Sequence, residues 1–160
     1  MDGFSYLSLI TDVYSRKIVG HALHPTLEAA GCIEALIIAV SERKKESSFT
    51  LIHHSDRGIQ YCSRGYIEIL QRESIAISMT QTGNPYENAL AERMNGIIKN
   101  EFFPKRIYQN HKEAIDRIVQ TYNNSRPHSS LDYLTPNKAH AYVGVIKKRW
   151  KQYKRNPATK

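Results

Sequence analysis

A chain of 160 residues, 41% apolar and 24% charged, has ordinary globular composition and is long enough for one domain with a real core. Its longest apolar run, Ala35-Leu36-Ile37-Ile38-Ala39-Val40, falls far short of the ~20 residues of a membrane span, and the N-terminus has no signal-peptide pattern. The expectation is a cytoplasmic protein with no membrane partner. Cys32 and Cys62 form no Cys-x-x-Cys pair, which argues against zinc. The net charge of +8 is unevenly placed: residues 1–92 carry eight Lys/Arg against eleven Asp/Glu, and residues 93–160 carry fifteen against four. A basic C-terminal half suits a polyanionic partner.

Residues 4–11 alternate loosely and read as a strand, followed by a turn at Asp12-Val13-Tyr14-Ser15-Arg16 and a second strand over 17–23. Strands so close in sequence predict an antiparallel hairpin. Pro25-Thr26 opens a predicted helix to about Arg43, with Leu27, Ala30, Ile33, Leu36, Ile37 and Val40 at helical spacing. Residues 49–53 form a short apolar strand, and Asp56 lies just beyond it, where open α/β sheets collect their ligands. A helix over 63–72 and a strand over 75–78 follow.

The next helix has a capping pattern at Asn84, Pro85 and Glu87. Its core stripe is Leu90, Met94, Ile97, Ile98 and Phe102, and its opposite stripe is Asn88, Glu92, Asn95 and Lys99. Glu92 and Lys99 thus share one exposed face, about 10 Å apart along the axis. Asn110 with Glu113 caps a further helix with Ala114, Ile115, Ile118, Val119 and Tyr122 inward, ending in a loop from Asn123 to Leu131. Thr135-Pro136 reads as a stop. A basic tail from Ile146 carries Trp150 and Tyr153, a composition able to track and stack on nucleic acid. The domain expectation is a core over 1–136 and a basic tail over 137–160.

Asp56 and Glu92 lie in two polar motifs with thirty-five residues between them. One is His53-His54-Ser55-Asp56-Arg57-Gly58-Ile59-Gln60-Tyr61, and the other runs through residues 83–99 around Glu92. Two carboxylates converging from separate elements can hold divalent cations that clamp the oxygens of a phosphodiester displacement. With Asp12-Val13-Tyr14-Ser15-Arg16-Lys17-Ile18-Val19-Gly20 and Tyr122-Asn123 followed by Arg126-Pro127-His128-Ser129, these motifs resemble the catalytic core of bacterial insertion-sequence transposases of the DDE class, close to retroviral integrases.

The resemblance implies an RNase H-like α/β fold with a mixed sheet flanked by helices. It also implies Asp56 and Glu92 as the second and third acidic metal ligands, with two Mg²⁺ or Mn²⁺ ions in a complete site. Lys99 becomes the base that contacts the transposon end. Arg93, Asn95, Arg126 and His128 complete the DNA-binding candidates, with a loop-stabilising role equally open for Arg126 and His128. The family's first Asp, in a Trp-x-x-Asp-x-Thr pattern on the first, central strand, has no counterpart in the sequence; Asp2 lacks that flank, and Asp12 belongs to the second-strand motif.

The chain is therefore expected to lack that strand, to be marginal in stability, and to be inactive or nearly so. The implied activity of the full form is metal-dependent cleavage and strand transfer of transposon ends into target DNA, by a homo-oligomer on DNA and with a separate helix-turn-helix protein as a further partner. The alternatives are a non-catalytic DNA-binding or oligomerising remnant and an RNase H-like nuclease.

Overall fold

The computed structural model describes residues 4–43, 50–81, 88–102 and 110–149. The helix start assigned to Asn84, Pro85 and Glu87, the segment around Asp2, and the tail with Trp150 and Tyr153 lie outside the described residues.

The hairpin forms as its alternation requires. Strand β1 (Tyr6–Thr11) pairs antiparallel with β2 (Ile18–His24), from Tyr6 opposite His24 to Ile10 opposite Gly20, with a bulge between Ile10 and Thr11. Its turn is built by Asp12. The Asp12 N–H donates to the Lys17 carbonyl at 2.8 Å, and the Asp12 carboxylate accepts from the Ser15 N–H (2.6 Å) and hydroxyl (2.5 Å). Arg16 takes a left-handed φ of 62° to close it.

Helix α1 (Ala29–Ser41) begins later than Pro25-Thr26 suggests. The Thr26 N–H donates to His24 Nδ1, and the Thr26 hydroxyl lies 3.1 Å from the same atom. Such local side-chain bonding competes with the first helical turn.

Strand β3 (Ile52–Ser55) runs two residues beyond the predicted end, because its parallel ladder with β4 (Ala76–Met79) extends from Ile52 opposite Ala76 to Ser55 opposite Met79. Helix α2 (Arg64–Arg72) supplies the crossover that a parallel pair needs. Among the described residues β1 pairs only with β2 and β3 only with β4, so the strands form two two-stranded sheets.

Helix α3 (Ala89–Ile97) passes into a π-helical turn (Ile98–Phe102), and α4 (His111–Ser125) follows. The α4 cap is the expected one, with the Asn110 side chain accepting from the Glu113 N–H at 3.2 Å. Thr135-Pro136 starts a helix rather than stopping one. Pro136 occupies the first turn of α5 (Pro136–His140), where its missing N–H costs nothing. The boundary expected at 136 falls inside α5, whose Ala139 is fully buried and whose Asn137 side chain donates to Asn124 of α4. No helix among the described residues is long and apolar enough to cross a membrane.

Two apolar clusters sandwich the hairpin. Ile18, Met94, Ile98, Ile115, Ile118, Val119 and Tyr122 pack with Leu7, Leu9 and Leu23 under α3 and α4. Cys32, Leu36, Tyr66, Ile69, Leu70 and Ile75 pack with Ile10 under α1 and α2. Each fully buried Leu or Ile contributes about 1.5–3 kcal/mol. The α1 layer sits so close to β2 that a Cβ on Gly20 would stand 2.1 Å from the Ala35 carbonyl oxygen and 2.9 Å from the Ala39 Cβ. Gly20→Ala is therefore expected to push α1 off the hairpin and to cost about 1–3 kcal/mol, read as a lower urea midpoint at unchanged m.

Candidate active site and its arginine cluster

Asp56 is the first residue after β3 and is exposed. Its Oδ1 accepts the Gly58 N–H at 2.9 Å, the local turn that aspartate side chains favour. A Cβ on Gly58 would lie 2.9 Å from that same oxygen, so the turn is tight against the carboxylate.

Behind it stands an aromatic wall. Tyr61 and Tyr66 meet edge to face at 5.5 Å, and the Tyr66 hydroxyl is 2.9 Å from His53 Nε2. Burial, then the nearby Cys32 and Asp56, pushes the Tyr61 phenol up to about 12. Burial first, then His54, holds the His53 imidazole below its ordinary range, and its Nδ1 is buried without a hydrogen-bond partner among the described residues.

Glu92 lies in the first turn of α3, exposed, with its N–H donating to the Asn88 carbonyl at 3.2 Å. A carboxylate there is favoured by the positive end of the helix dipole. The helix faces divide as their period predicts: Met94 and Ile98 are buried, whereas Arg93, Asn95 and Lys99 are exposed. Two hard oxygen donors on separate elements suit Mg²⁺, which binds through one or two carboxylates and keeps several waters. Among the described residues no group of three or more His, Cys, Asp or Glu gathers as a metal-ligand set. Asp12 is engaged by Ser15 and lies 3.8 Å from His140 Nδ1, bracing the β1–β2 turn.

Two other candidates, Arg126 and His128, come together. Arg126 grips Glu101 with a fork, Nε to Oε2 and Nη2 to Oε1, both at 2.7 Å. That bond holds the Glu101 carboxyl below the usual carboxylate range and raises the Arg126 guanidinium. The remaining Arg126 nitrogen, Nη1, lies 3.3–3.4 Å from the two His128 ring nitrogens.

His128 is 8% exposed, with its ring 5.4 Å from that of Tyr122. Burial, then the charges of Arg126, Arg16 and Arg93, pushes it down to about 4, so it is neutral at pH 7. The Tyr122 hydroxyl donates to the Arg16 carbonyl at 3.0 Å, which ties the β1–β2 turn into the same group. Sequence reasoning selected Arg93, Arg126 and His128 but missed Arg16 and Glu101. Arg16 was legible only as part of a turn motif, and Glu101 stands two residues past Lys99 with nothing local to single it out.

The family model described as Integrase core domain matches residues 1–85, and a second model of the same description matches residues 73–136. The chain is 36% identical over 139 residues to a 31 kDa protein of insertion element IS600 from Shigella sonnei, covering 84% of this chain and 50% of that protein. It is 36% identical over 131 residues to a putative transposase of element IS986/IS6110 from Mycobacterium tuberculosis, covering 78% of this chain and 47% of that one. The chain thus spans about half the length of the curated relatives it matches. A solved structure of the HTLV-2 integrase catalytic core domain in complex with magnesium superposes with a TM-score of 0.63 at 21% identity, covering 87% of this chain and 92% of that chain. At that identity the likeness shows the fold, a retroviral-integrase-like α/β core.

Proposed function

The chain belongs to the integrase core domain family, and from that premise we propose that it serves DNA transposition as an insertion-sequence transposase. Asp56 and Glu92 are its metal-holding carboxylates, and Lys99, Arg93 and Asn95 are its contacts to the transposon end. The observation that carries the reading is the placement of the two carboxylates. One follows directly on a parallel strand and the other lies in the first turn of a helix, both exposed and both within the matched segments.

Bound Mg²⁺ or Mn²⁺ would supply activation of the attacking oxygen and charge neutralisation at the leaving one. The residues themselves do the positioning. The Gly58 N–H orients the Asp56 carboxylate, and the first turn of α3 positions Glu92. Lys99, exposed in the π-helical turn that follows α3, neutralises phosphate and so fixes the register of DNA without reading sequence. Acting on transposon ends and target together implies a homo-oligomer on DNA, with a helix-turn-helix protein as a separate reader of the ends.

Two carboxylates are one short of the family pattern, so we infer that the 160-residue chain binds DNA but cuts it weakly or not at all. In calorimetry the wild-type chain should take up Mn²⁺ with modest affinity, and Asp56→Asn or Glu92→Gln should remove that uptake without changing the circular dichroism. On a supercoiled plasmid it should give no nicking above background. Metal-dependent nicking that vanishes in Asp56→Asn would overturn the inactivity. Metal uptake indifferent to both substitutions would overturn the site assignment. DNA binding that falls with salt and ignores Glu92→Gln would support the non-catalytic reading.

A further inference from the structure

We infer that Tyr133 is a stacking platform for an unpaired nucleobase, held out from the loop between α4 and α5 beside the basic stretch Lys147-Lys148-Arg149. The inference rests on the DNA reading above and adds to it a contact to a base face, separate from the phosphate contact assigned to Lys99.

The loop is built to push this ring outwards. After α4 a short 3-10 turn (Ser129–Leu131) ends in Asp132 at φ 54°, and Tyr133 follows at φ 61°. Aspartate tolerates this left-handed region, whereas a bulky side chain there is a strained outlier. Backbone hydrogen bonds hold the pair in place. The His128 carbonyl accepts from the Leu131 and Tyr133 N–H groups, both at 2.9 Å, and the His128 N–H donates to the Leu134 carbonyl at 3.2 Å. The Leu134 N–H donates to the Leu131 carbonyl at 2.9 Å. Leu131 on one side and Pro136 on the other are buried, yet Tyr133 between them is 62% exposed. Strain of this kind collects at binding sites and persists only where the surroundings over-determine it.

Charge gives the class of partner. The Arg149 N–H donates to the Ser129 carbonyl at 3.3 Å, and the Arg149 side chain pairs with Asp132. Those two contacts return the chain to this loop after α5 and carry Lys147 and Lys148, both exposed, next to the point of attachment. Asp132 answers the charge of Arg149, so the phosphate contacts fall to the lysines. A fixed, exposed ring beside cations matches single-stranded DNA, whose bases stack on aromatic faces while its phosphates follow basic residues.

The test compares binding of the full 160-residue chain to a fluorescent blunt-ended duplex and to the same duplex carrying a short unpaired overhang. Wild type should prefer the overhang, because stacking one base contributes roughly 5- to 150-fold in affinity. Tyr133→Phe should keep that preference. Tyr133→Ala and Tyr133→Gly should lose it, with affinity for the blunt duplex unchanged. Glycine suits φ 61°, so Tyr133→Gly should unfold at a urea midpoint no lower than wild type, which separates a lost stack from a damaged loop. The double variant Lys147→Gln, Lys148→Gln should lower the salt slope on the overhang duplex by about 0.7 for each phosphate contacted.

A preference that survives in Tyr133→Ala and Tyr133→Gly overturns the inference and leaves the DNA reading standing. So does equal weakening of those variants on both duplexes, or wild-type binding that ignores the overhang. An unchanged salt slope in the lysine double variant overturns the pairing of the ring with the basic stretch. A wild-type chain that binds neither duplex overturns the inference and the DNA reading together.

Discussion

Replacing Asn123 with Leu is expected to destabilise the chain by about 2–6 kcal/mol. Asn123 is 6% exposed on α4 and acts as a two-sided clip on β2. Its Oδ1 accepts the Ile18 N–H and its Nδ2 donates to the Ile18 carbonyl, both at 3.0 Å. Ile18 stands opposite Thr11 in the last pair of the β1–β2 ladder, just past the bulge between Ile10 and Thr11.

Leucine has similar volume but no polar atom, so two buried backbone groups would be left unpaired at about 1–3 kcal/mol each. Against a whole-domain stability of ~5–15 kcal/mol, that loss is large. Urea titration followed by far-ultraviolet circular dichroism measures it. A loss under about 1 kcal/mol would mean that water reaches Ile18 and that the clip is dispensable.

The second large effect is a pH dependence set by His128. The imidazole titrates near 6.5 in an unfolded chain and is pushed down to about 4 in the folded one, by burial first and then by Arg126, Arg16 and Arg93, with Glu101 pulling weakly the other way. Between those values the unfolded state binds the extra proton, so stability rises with pH across this window. The contribution is complete above about 6.5 and is lost as pH falls towards 4. A shift of about 2.5 units at 1.36 kcal/mol each corresponds to about 3 kcal/mol.

His53 is held low for the same reason, mainly burial, and acts in the same direction. Urea midpoints of wild type and His128→Gln at pH 7.5 and 4.5 separate the two histidines, since His53 is common to both proteins. The variant should lose distinctly less stability on acidification. Parallel profiles would show that His128 is not the neutral, enclosed group described.

Both predictions concern residues whose roles sequence reading left open. Asn123 and His128 fell within one polar loop rich in turn formers. In the structure α4 continues through Ser125, so Asn123 faces β2 from a helix, and His128 is enclosed after it. The proline at 136 was read as a stop and is instead the first turn of α5. Both the continuation of α4 and the start of α5 are favoured by packing against the β1–β2 turn and its neighbours. The His140 ring lies 3.1 Å from the buried Ser15 hydroxyl, and the Tyr14 hydroxyl donates to the Gly144 carbonyl at 2.7 Å.

The amino-acid order by itself determined whatever repeats over a few residues or carries a dense motif. Alternation specified the β1–β2 hairpin, and helical spacing specified the inward faces of α3 and α4. Asp56 and Glu92 were legible because each lies inside a polar motif at the edge of an element. Tertiary structure alone decided how distant pieces share charge and hydrogen bonds. Arg126 finds Glu101 twenty-five positions away, and Asn123 finds Ile18 at a separation of 105. No local pattern encodes such pairs, because periodicity reports which face of an element is buried and not which polar group it meets there.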